Sequence, residues 1–395
     1  MKVPPFSLEG QLAQIGSEIE DSVLKVIRGG NYIGGKEVDE FERSFADFLG
    51  VSNVVGCNSG TDALILALRA LEIGEGDEVI TPSFSFFATA EAISSVGANP
   101  VFVDIDPSTF LIDFQSIESS ITSLTKAIIP VHLFGRPVDM DGLMQIAKKH
   151  DLKVIEDCAQ AAGAKWNEKP VGSWGDIGCF SFFPTKNLGA AGDAGAVTSN
   201  NSKLSKRMRE LALHGMPRRY FHTNLGYNSR LDAIQAAILN IKLPKLSEWI
   251  EQRNNIAKNY IDLLNQVTEL ELPELLKEEN CLHSWNQFVV QIKDNSTVIE
   301  SDYFKEKINL LESPRNNSRD YLKEELENHG VNTIIYYPIP IHLQPAYNNL
   351  GYKIGSIPIT ERICSQVLSL PIFPEISLDQ QKYVADKIKL IFNNS

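Results

Sequence analysis

Lys186 is the residue of this chain whose sequence surroundings suggest the most chemistry. The segment CFSFFPTKNLGAAGDAGAVTS places it between an apolar strand and a loop of small residues. A lysine in such a position is partly removed from water, which lowers the pKa of its amine and makes the amine a better nucleophile. For a lone lysine, an ordinary surface turn is the favoured alternative. Lys186 therefore needs support from other motifs before it is assigned a role.

Asp157 is the second candidate, because it ends the otherwise apolar strand in LKVIEDCAQ. A carboxylate buried at the end of a strand requires a partner, since an unpaired buried charge is costly. The protonated nitrogen of a pyridine ring would be a suitable partner. An aspartate that caps a helix at a strand–helix junction is at least as consistent with the residue taken alone.

The third candidate is the start of a helix in VVGCNSGTDALILAL, where Ser59, Gly60 and Thr61 precede an apolar-periodic segment. Unpaired backbone N–H groups and the helix dipole make such a start a site for an anion. A plain N-cap role for Ser59 or Thr61 is the common alternative. Ser181 and Asn187, near the lysine, could serve either phosphate binding or loop geometry.

The combination of the three motifs is more specific than any one of them. Pyridoxal 5′-phosphate presents a phosphate, a pyridine nitrogen and an aldehyde, which match the helix start, Asp157 and Lys186 in turn. Competing motifs do not fit. GAAGDAGA departs from GxGxxG, no GxxxxGK[ST] occurs, and the seven histidines show no metal-ligand spacing. We therefore predict pyridoxal phosphate as the cofactor and no metal.

The elements that must position these residues alternate in type between about residues 50 and 245. Short apolar runs such as DEVITP and LKVIEDCA are separated by helical patterns such as TDALILALRALE. This rhythm predicts an α/β fold with a mainly parallel sheet, helices on both faces and reactive residues beyond the strands' carboxyl ends. We predict a large cofactor-binding domain over residues 1–245, N-terminal arm included, and a smaller α+β domain over 246–395. The polar stretch around 310–320 is predicted to be a mobile loop.

Composition excludes several classes of protein. The 395 residues carry a net charge of −13, which argues against binding to nucleic acid or to an anionic membrane. Five scattered cysteines without a CxxC pair indicate a reducing compartment. No signal peptide and no apolar run of membrane-spanning length are found. A soluble cytoplasmic protein is expected.

With these motifs in place, the sequence resembles the DegT-type family of nucleotide-sugar aminotransferases, which have the fold type I architecture of pyridoxal-phosphate-dependent transferases. The resemblance covers nearly the whole chain. It is carried by ordered blocks that include GGNYIGGKEVDEFERSFADFLGV, NSGTDALILALRALEIGEGDEVITPSFSFFATAEAI, VIEDCAQAAGA, FSFFPTKNLGAAGDAGAVTS, NSRLDAIQAAIL and LSLPIFP.

The resemblance implies a role for each matching residue. Lys186 would hold the cofactor as an internal aldimine and act as the general base and acid, and Asp157 would pair with the pyridinium nitrogen. The other residues implied to bind the cofactor are Gly60, Thr61 and Ser181 at the phosphate, Phe86 stacked on the ring, Gln160 beside it, and Asn228 reaching the neighbouring subunit's phosphate. A homodimer with shared active sites follows from this last role.

The implied reaction transfers an amino group from glutamate to a keto-deoxysugar linked to dTDP or UDP. The NSRLD form and the PIPIHLQPAY segment resemble members that act at carbon 3 of the sugar. Phe183 stands where many members have Tyr, and Tyr336 stands in a His position, so the sugar itself is left open. The residues expected on the substrate side are Gly34, Phe183, Arg230, Tyr336, Tyr337 and His342, with Arg218 and Arg219 as further candidates for the diphosphate.

Three other functions stay open at this point. A keto-cyclitol aminotransferase would use the same cofactor chemistry on a free sugar alcohol. A related sugar dehydratase works without a Schiff-base lysine, so Lys186 argues against it. A non-catalytic, cofactor-binding regulatory protein would bind pyridoxal phosphate but give no spectral change with glutamate.

Overall fold

The computed structural model describes residues 1–293 and 318–393. The helices are α1 (Glu9–Gly29), α2 (Lys36–Leu49), α3 (Gly60–Ala70), α4 (Ala88–Ser95), α5 (Phe114–Ser120), α6 (Met140–Lys149), α7 (Ser202–Ala212), α8 (Ala233–Lys242), α9 (Leu246–Leu264), α10 (Ser318–Asn328), α11 (Pro358–Gln366) and α12 (Leu378–Asn393). Within these ranges, none of the helices combines the length and the apolar content needed to cross a membrane.

The strands form one large sheet and two small ones. They are β1 (Asn53–Cys57), β2 (Glu78–Pro82), β3 (Asn99–Val103), β4 (Thr125–Ile128), β5 (Lys153–Asp157), β6 (Lys165–Trp166), β7 (Lys169–Pro170), β8 (Ile177–Ser181), β9 (Gly195–Ser199), β10 (Leu270–Glu271), β11 (Phe288–Ile292) and β12 (Val367–Leu370). The seven-stranded sheet has the order β1-β9-β8-β5-β4-β2-β3.

This large sheet is mainly parallel, as predicted. Neighbouring strands from β8 to β3 pair in parallel, whereas β9 runs antiparallel to both β1 and β8. Because a parallel connection needs a crossover of a dozen or more residues, usually a helix, the helix-free segment between β8 and β9 fits a reversed strand. The predicted α/β architecture with a mainly parallel sheet is confirmed.

Burial of both faces explains why the strands lack polar alternation. Along β2, Val79 belongs to the apolar cluster beneath α3 and α4, while its neighbour Ile80 belongs to the cluster that includes α6 residues. Ala127 and Ile128 of β4 divide between the two clusters in the same way. Successive side chains of a strand point to opposite faces, so a sheet covered by helices on both sides requires apolar residues throughout.

The C-terminal part of the chain builds a separate apolar cluster around a small antiparallel sheet, β10-β11-β12. Helix α9 contributes Ile256, Tyr260 and Leu264 to this cluster, and α12 contributes Val384 and Ile388. The division of the chain at residue 245 stays a prediction. Of the predicted loop around 310–320, residues 310–317 lie outside the described residues, and from Ser318 onward the chain is helical in α10.

Candidate active site

The register of the large sheet brings the sequence motifs to one edge. Gly195, the first residue of β9, pairs with Cys57 at the end of β1 and with Ser181 at the end of β8. On the other side of β8, Cys179 pairs with Asp157 at the end of β5. Residues that are far apart in sequence therefore follow the ends of adjacent strands, which is where open α/β sheets bind ligands.

Helix α3 begins directly beside Ser181. Ser59 is its N-cap, and the Ser59 hydroxyl accepts a hydrogen bond of 3.1 Å from the Asp62 N–H, so the plain capping role holds for this serine. A Cβ added to Gly60 would lie 2.7 Å from the Ser181 Cβ. A glycine at position 60 therefore lets the helix start approach Ser181, which places first-turn N–H groups and a hydroxyl together as donors for an anion.

Asp157 is buried, and its carboxylate has two hydrogen-bond donors. The Thr89 hydroxyl donates to Oδ2 at 2.9 Å, and the Ala159 N–H donates to Oδ1 at 3.1 Å. Burial nevertheless raises the pKa of Asp157 above its ordinary value, against the lowering effect of these bonds and of the Lys186 charge. A further positive partner, such as a protonated ring nitrogen, would stabilise the ionised carboxylate.

The neighbouring Glu156 fixes the end of β5 from the other face. Its carboxylate accepts hydrogen bonds from the N–H groups of Gly172, Trp174 and Gly175 and from His132 Nε2. His132 Nδ1 in turn accepts from the Val138 N–H. Within the described ranges, His132, Glu156 and Cys158 form a group of possible metal ligands, but these hydrogen bonds already occupy the nitrogen and oxygen atoms of that group. We interpret it as structural.

Lys186 lies in a tight turn whose shape is held by backbone and amide contacts. The Lys186 N–H donates to the Phe183 carbonyl at 2.8 Å. Asn187 donates to the Ser284 carbonyl and accepts from Asn286, so it serves loop geometry. Removal of the amine from water lowers the pKa of Lys186 to about 8, although the charge of Asp157 acts in the opposite direction.

This pKa has a direct consequence for reactivity. In protein freed of cofactor, the Lys186 amine should become reactive as the pH rises through about 8, whereas an ordinary lysine with a pKa of 10.5 becomes reactive only at higher pH. The extent of acylation of each lysine, measured by peptide mass spectrometry against pH, checks this. A midpoint for Lys186 equal to that of exposed Lys169 would contradict it.

Aromatic and amide groups surround the open side of this edge. Phe86 is 59% exposed, and its ring centroid lies 6.2 Å from that of Tyr337. Gln160 accepts a hydrogen bond from the Phe134 N–H and donates to the Tyr337 hydroxyl. The structure therefore brings Phe86, Gln160 and Tyr337 together, next to Asp157, whose charge acts on the Tyr337 hydroxyl.

The predicted substrate-side residues divide into two groups. Phe183 is 48% exposed, and Tyr336 is partly buried with its ring 5.6 Å from that of Tyr337. His342, by contrast, is 1% exposed, with Nδ1 bonded to the Ser83 hydroxyl at 2.7 Å and Nε2 to Glu361 at 3.1 Å. Both ring nitrogens are occupied by protein, so the structure does not bring His342 to the substrate side.

Residues from the NSRLD segment and from the N-terminal region lie around α3 and α8. Helix α8 also contacts the loop that follows Lys186, because Gln235 accepts from the Ala191 N–H and Lys242 donates to the Gly189 carbonyl. Asn228 is exposed, and its side-chain oxygen accepts from Arg230. Gly34 follows Ile33, which bridges to Asp232 at the start of α8. Arg218 and Arg219 stack over the exposed rings of Phe221 and Tyr220.

Two residues that bond to the site, Thr89 and Ser229, were not identified from the sequence. Thr89 reaches Asp157 from within α4, where a threonine among helix residues gives no signal of its own. Ser229 donates to Asp62 and accepts from the Asn58 N–H, which ties the NSRLD segment to the start of α3. The sequence shows that Ser229 is next to the predicted Asn228, but it does not show that Ser229 bonds to Asp62.

The residues at this edge fit pyridoxal phosphate. The N–H groups of the α3 start and Ser181 suit a phosphate, the desolvated Asp157 suits a ring N–H, and the amine of Lys186 suits an aldehyde. The fold and this edge together define a fold type I enzyme that depends on pyridoxal phosphate.

Comparisons with known proteins agree with this class. The family model described as the DegT/DnrJ/EryC1/StrS aminotransferase family matches residues 13–309 and 302–389. The chain is 44% identical to a UDP-N-acetyl-3-dehydro-alpha-D-glucosamine 3-aminotransferase of Acidithiobacillus ferrooxidans, over 98% of this chain and 97% of that one. It is 43% identical to a "pleiotropic regulatory protein" of Geobacillus stearothermophilus, over 98% of both chains.

A solved structure shares the whole architecture. The crystal structure of Streptomyces venezuelae DesV in complex with a ketimine intermediate superimposes with a TM-score of 0.90 at 36% identity, and the match covers 99% of this chain and 98% of that one. The chain therefore belongs to the DegT/DnrJ/EryC1/StrS aminotransferase family. Enzymes of this family depend on pyridoxal 5′-phosphate, as the sequence motifs predicted.

Proposed function

We propose that this chain transfers an amino group from glutamate to carbon 3 of a keto-deoxysugar linked to dTDP or UDP. The observation that carries the proposal is the desolvated Lys186 beside the buried Asp157, in a chain of this aminotransferase family. The choice of carbon 3 and of a nucleotide-linked sugar is supported by the name of the 44% identical relative, which acts on a UDP-linked 3-dehydro sugar.

Each residue has a chemical task in this proposal. When bound, pyridoxal phosphate supplies an aldehyde that takes up amino groups and a ring that accommodates negative charge. Because the pKa of Lys186 is about 8, roughly a tenth of its amine is neutral at pH 7 and can accept a proton from a substrate carbon. Asp157 holds the ring N–H, and Thr89 and the Ala159 N–H orient its two carboxylate oxygens.

The phosphate and the open face complete the assignment. Gly60, Thr61 and Ser181 hold the phosphate, and Phe86 and Gln160 flank the ring. The exposed Phe183 and the partly buried Tyr336 line the sugar side, which is therefore open to solvent and can accept a bulky nucleotide sugar. His342 has no part in this proposal, because its ring nitrogens are bonded to Ser83 and Glu361.

The test is an amination screen with glutamate and a set of ketosugars, with products detected by mass. Appearance of an amino sugar from a dTDP- or UDP-linked 3-ketosugar supports the proposal. The Lys186→Ala protein is the matched blank. Amination of a free inosose but of no nucleotide sugar would instead assign a keto-cyclitol aminotransferase.

A second candidate is a cofactor-binding regulatory protein, which the name of the 43% identical Geobacillus stearothermophilus relative favours. It predicts bound cofactor whose absorption spectrum does not change when glutamate is added. A spectral change that reverses on addition of a ketosugar excludes a purely regulatory role.

We further propose a homodimer in which the two chains share their active sites. Exposed apolar residues on α1, just after α1 and on the segment that precedes Asn228 support a covered face; they are Leu12, Leu24, Ile27, Tyr32, Ile33, Tyr220, Phe221 and Leu225. Because Arg230 donates to the side-chain oxygen of Asn228, the amide nitrogen of Asn228 is left as a donor for a partner's phosphate.

Subunit mixing tests the shared site. Lys186→Ala and Asn228→Asp proteins, each expected to be nearly inactive, should together regain roughly a quarter of the wild-type rate. About half of randomly reassorted dimers are mixed, and each mixed dimer has one intact site out of two. The rate is measured after unfolding and refolding the mixture. A mixture as inactive as its components would place Asn228 and Lys186 at the same site within one chain.

The five free thiols, four of them buried, support a cytoplasmic location for this assembly.

A further inference from the structure

Gln160 is held in a defined orientation. The Phe134 N–H donates to Gln160 Oε1 at 2.7 Å, and a backbone N–H can only donate, so this bond identifies the oxygen of the amide. Phe134 is itself fixed, because its carbonyl accepts from the N–H of Asn286. The amide nitrogen of Gln160 must therefore face the other way, toward Tyr337.

The Tyr337 hydroxyl is the hydrogen-bond acceptor for the nitrogen of this amide. Gln160 Nε2 donates to the Tyr337 hydroxyl at 2.9 Å, a contact between residues 177 positions apart in sequence. Burial raises the pKa of Tyr337, so the phenol stays protonated at neutral pH, and the nearby charge of Asp157 acts in the same direction. Without this hydroxyl, Gln160 Nε2 would lose an acceptor, and only the bond from the Phe134 N–H would orient the amide.

The ring of Tyr337 makes contacts of a different kind. It packs edge-on against Phe84, with centroids 6.2 Å apart, and lies tilted against Phe86 at the same distance. Phe84 is buried, whereas Phe86 is largely exposed. Tyr337 thus touches, with its hydroxyl and with its ring, the two side chains that the proposed function assigns to the cofactor ring, Gln160 and Phe86.

We infer that Tyr337 is a positioning residue for the cofactor, acting through Gln160 and Phe86, and not a contact of the sugar. This inference rests on the cofactor assignment of the proposed function. The inference also means that the C-terminal part of the chain, to which Tyr337 belongs, helps to position the cofactor, because Tyr337 bonds to Gln160 just after β5. The inference separates two substitutions: loss of the hydroxyl leaves the Gln160 amide held at its oxygen alone, whereas loss of the ring also removes the contact with Phe86.

The first test is cofactor affinity of Tyr337→Phe, which keeps the ring and removes the hydroxyl. Titration of cofactor-free protein with pyridoxal phosphate, followed by intrinsic fluorescence, should give a dissociation constant roughly three- to tenfold larger than that of the wild type, the range for one lost hydrogen bond. Tyr383→Phe is the matched control, because it loses a tyrosine hydroxyl bonded to the His329 carbonyl, in the apolar cluster around β10-β11-β12. An unchanged dissociation constant for Tyr337→Phe would overturn the inference.

The second test compares the two half-reactions in single-turnover experiments. A residue that positions the cofactor should slow the glutamate and the sugar half-reactions by similar factors. A sugar contact should slow the sugar half-reaction alone, and that result would overturn the inference. If no nucleotide sugar reacts with the wild-type protein, the proposed substrate is wrong, while cofactor affinity and the glutamate half-reaction still decide the role of Tyr337.

The third test asks whether Tyr337 acts through Gln160. In a Gln160→Ala background, the Tyr337→Phe substitution should no longer change the cofactor dissociation constant, since the hydroxyl has lost the group that it holds. An undiminished effect in that background would show that the hydroxyl acts on the cofactor directly, and the inference would fail.

Discussion

Replacement of Lys186 by alanine is expected to abolish covalent attachment of the cofactor and to reduce amino transfer roughly 1,000-fold or more, since the same amine serves as nucleophile and proton carrier. Alanine removes the amine without adding bulk, and the turn that holds residue 186 rests on backbone contacts and on Asn187. The wild-type protein should be yellow. After borohydride treatment and denaturation, its cofactor should remain on the peptide that contains Lys186, as seen by mass spectrometry.

The control for this prediction is Lys169→Ala, which removes an exposed lysine that stacks over Trp174. That protein should keep both the covalent attachment and the rate. If the Lys186→Ala protein retained an unchanged absorption spectrum and a borohydride-stable cofactor, another amine would be the nucleophile. Far-ultraviolet circular dichroism shows whether the variant has kept its fold.

Replacement of Asp157 by asparagine is expected to reduce amino transfer roughly 100- to 1,000-fold, because an amide of the same shape cannot supply the charge that a protonated ring nitrogen requires. The magnitude follows from the cost of removing one partner of a buried charge pair, about 3 to 5 kcal/mol, reduced because asparagine keeps a polar group there. The single oxygen of asparagine can still accept from the Ala159 N–H, and its NH2 group can donate to the Thr89 hydroxyl, which accepts as well as donates, so the fold should be retained.

The same substitution should change the titration of the lysine. The charge of Asp157 raises the pKa of Lys186 against the lowering effect of burial, so its removal should move that pKa below about 8. In cofactor-free Asp157→Asn protein, acylation of Lys186 should therefore reach its midpoint at lower pH than in the wild type. A midpoint that does not move would mean that the two groups do not interact. Thr89→Val, which removes a donor and keeps the charge, is the matched control for the electrostatic effect.

The sequence by itself predicted that the three motifs meet at one edge of the sheet, because that edge follows from the order of elements. Strands of a parallel sheet end at the same edge, so a reactive residue after each of several strands is brought to one place without knowledge of side-chain contacts. The helix start at Gly60, the strand end at Asp157 and the loop lysine Lys186 were found in this way. The resemblance to a family then added Phe86 and Gln160, which no local pattern singles out.

The sequence could not decide what surrounds these residues. His342 was expected on the substrate side, yet its ring nitrogens are bonded to Ser83, 259 positions away in sequence, and to Glu361. Tyr337 was expected on the substrate side, and no sequence pattern indicates that its hydroxyl accepts a hydrogen bond from Gln160. Thr89, a donor to the central carboxylate, gave no signal because a threonine within a helix is compatible with many environments.

The division between what the chain order determines and what tertiary structure decides has a physical reason. Backbone hydrogen bonding and the burial of apolar strands act through short sequence periods, so they fix the sheet, its edge and the residues that follow each strand. Side-chain hydrogen bonds between distant segments have no period in the sequence, and they form only where the packed fold places a donor beside an acceptor. Lys186 and Asp157 belong to the first kind, and the contacts of Thr89, Tyr337 and His342 belong to the second.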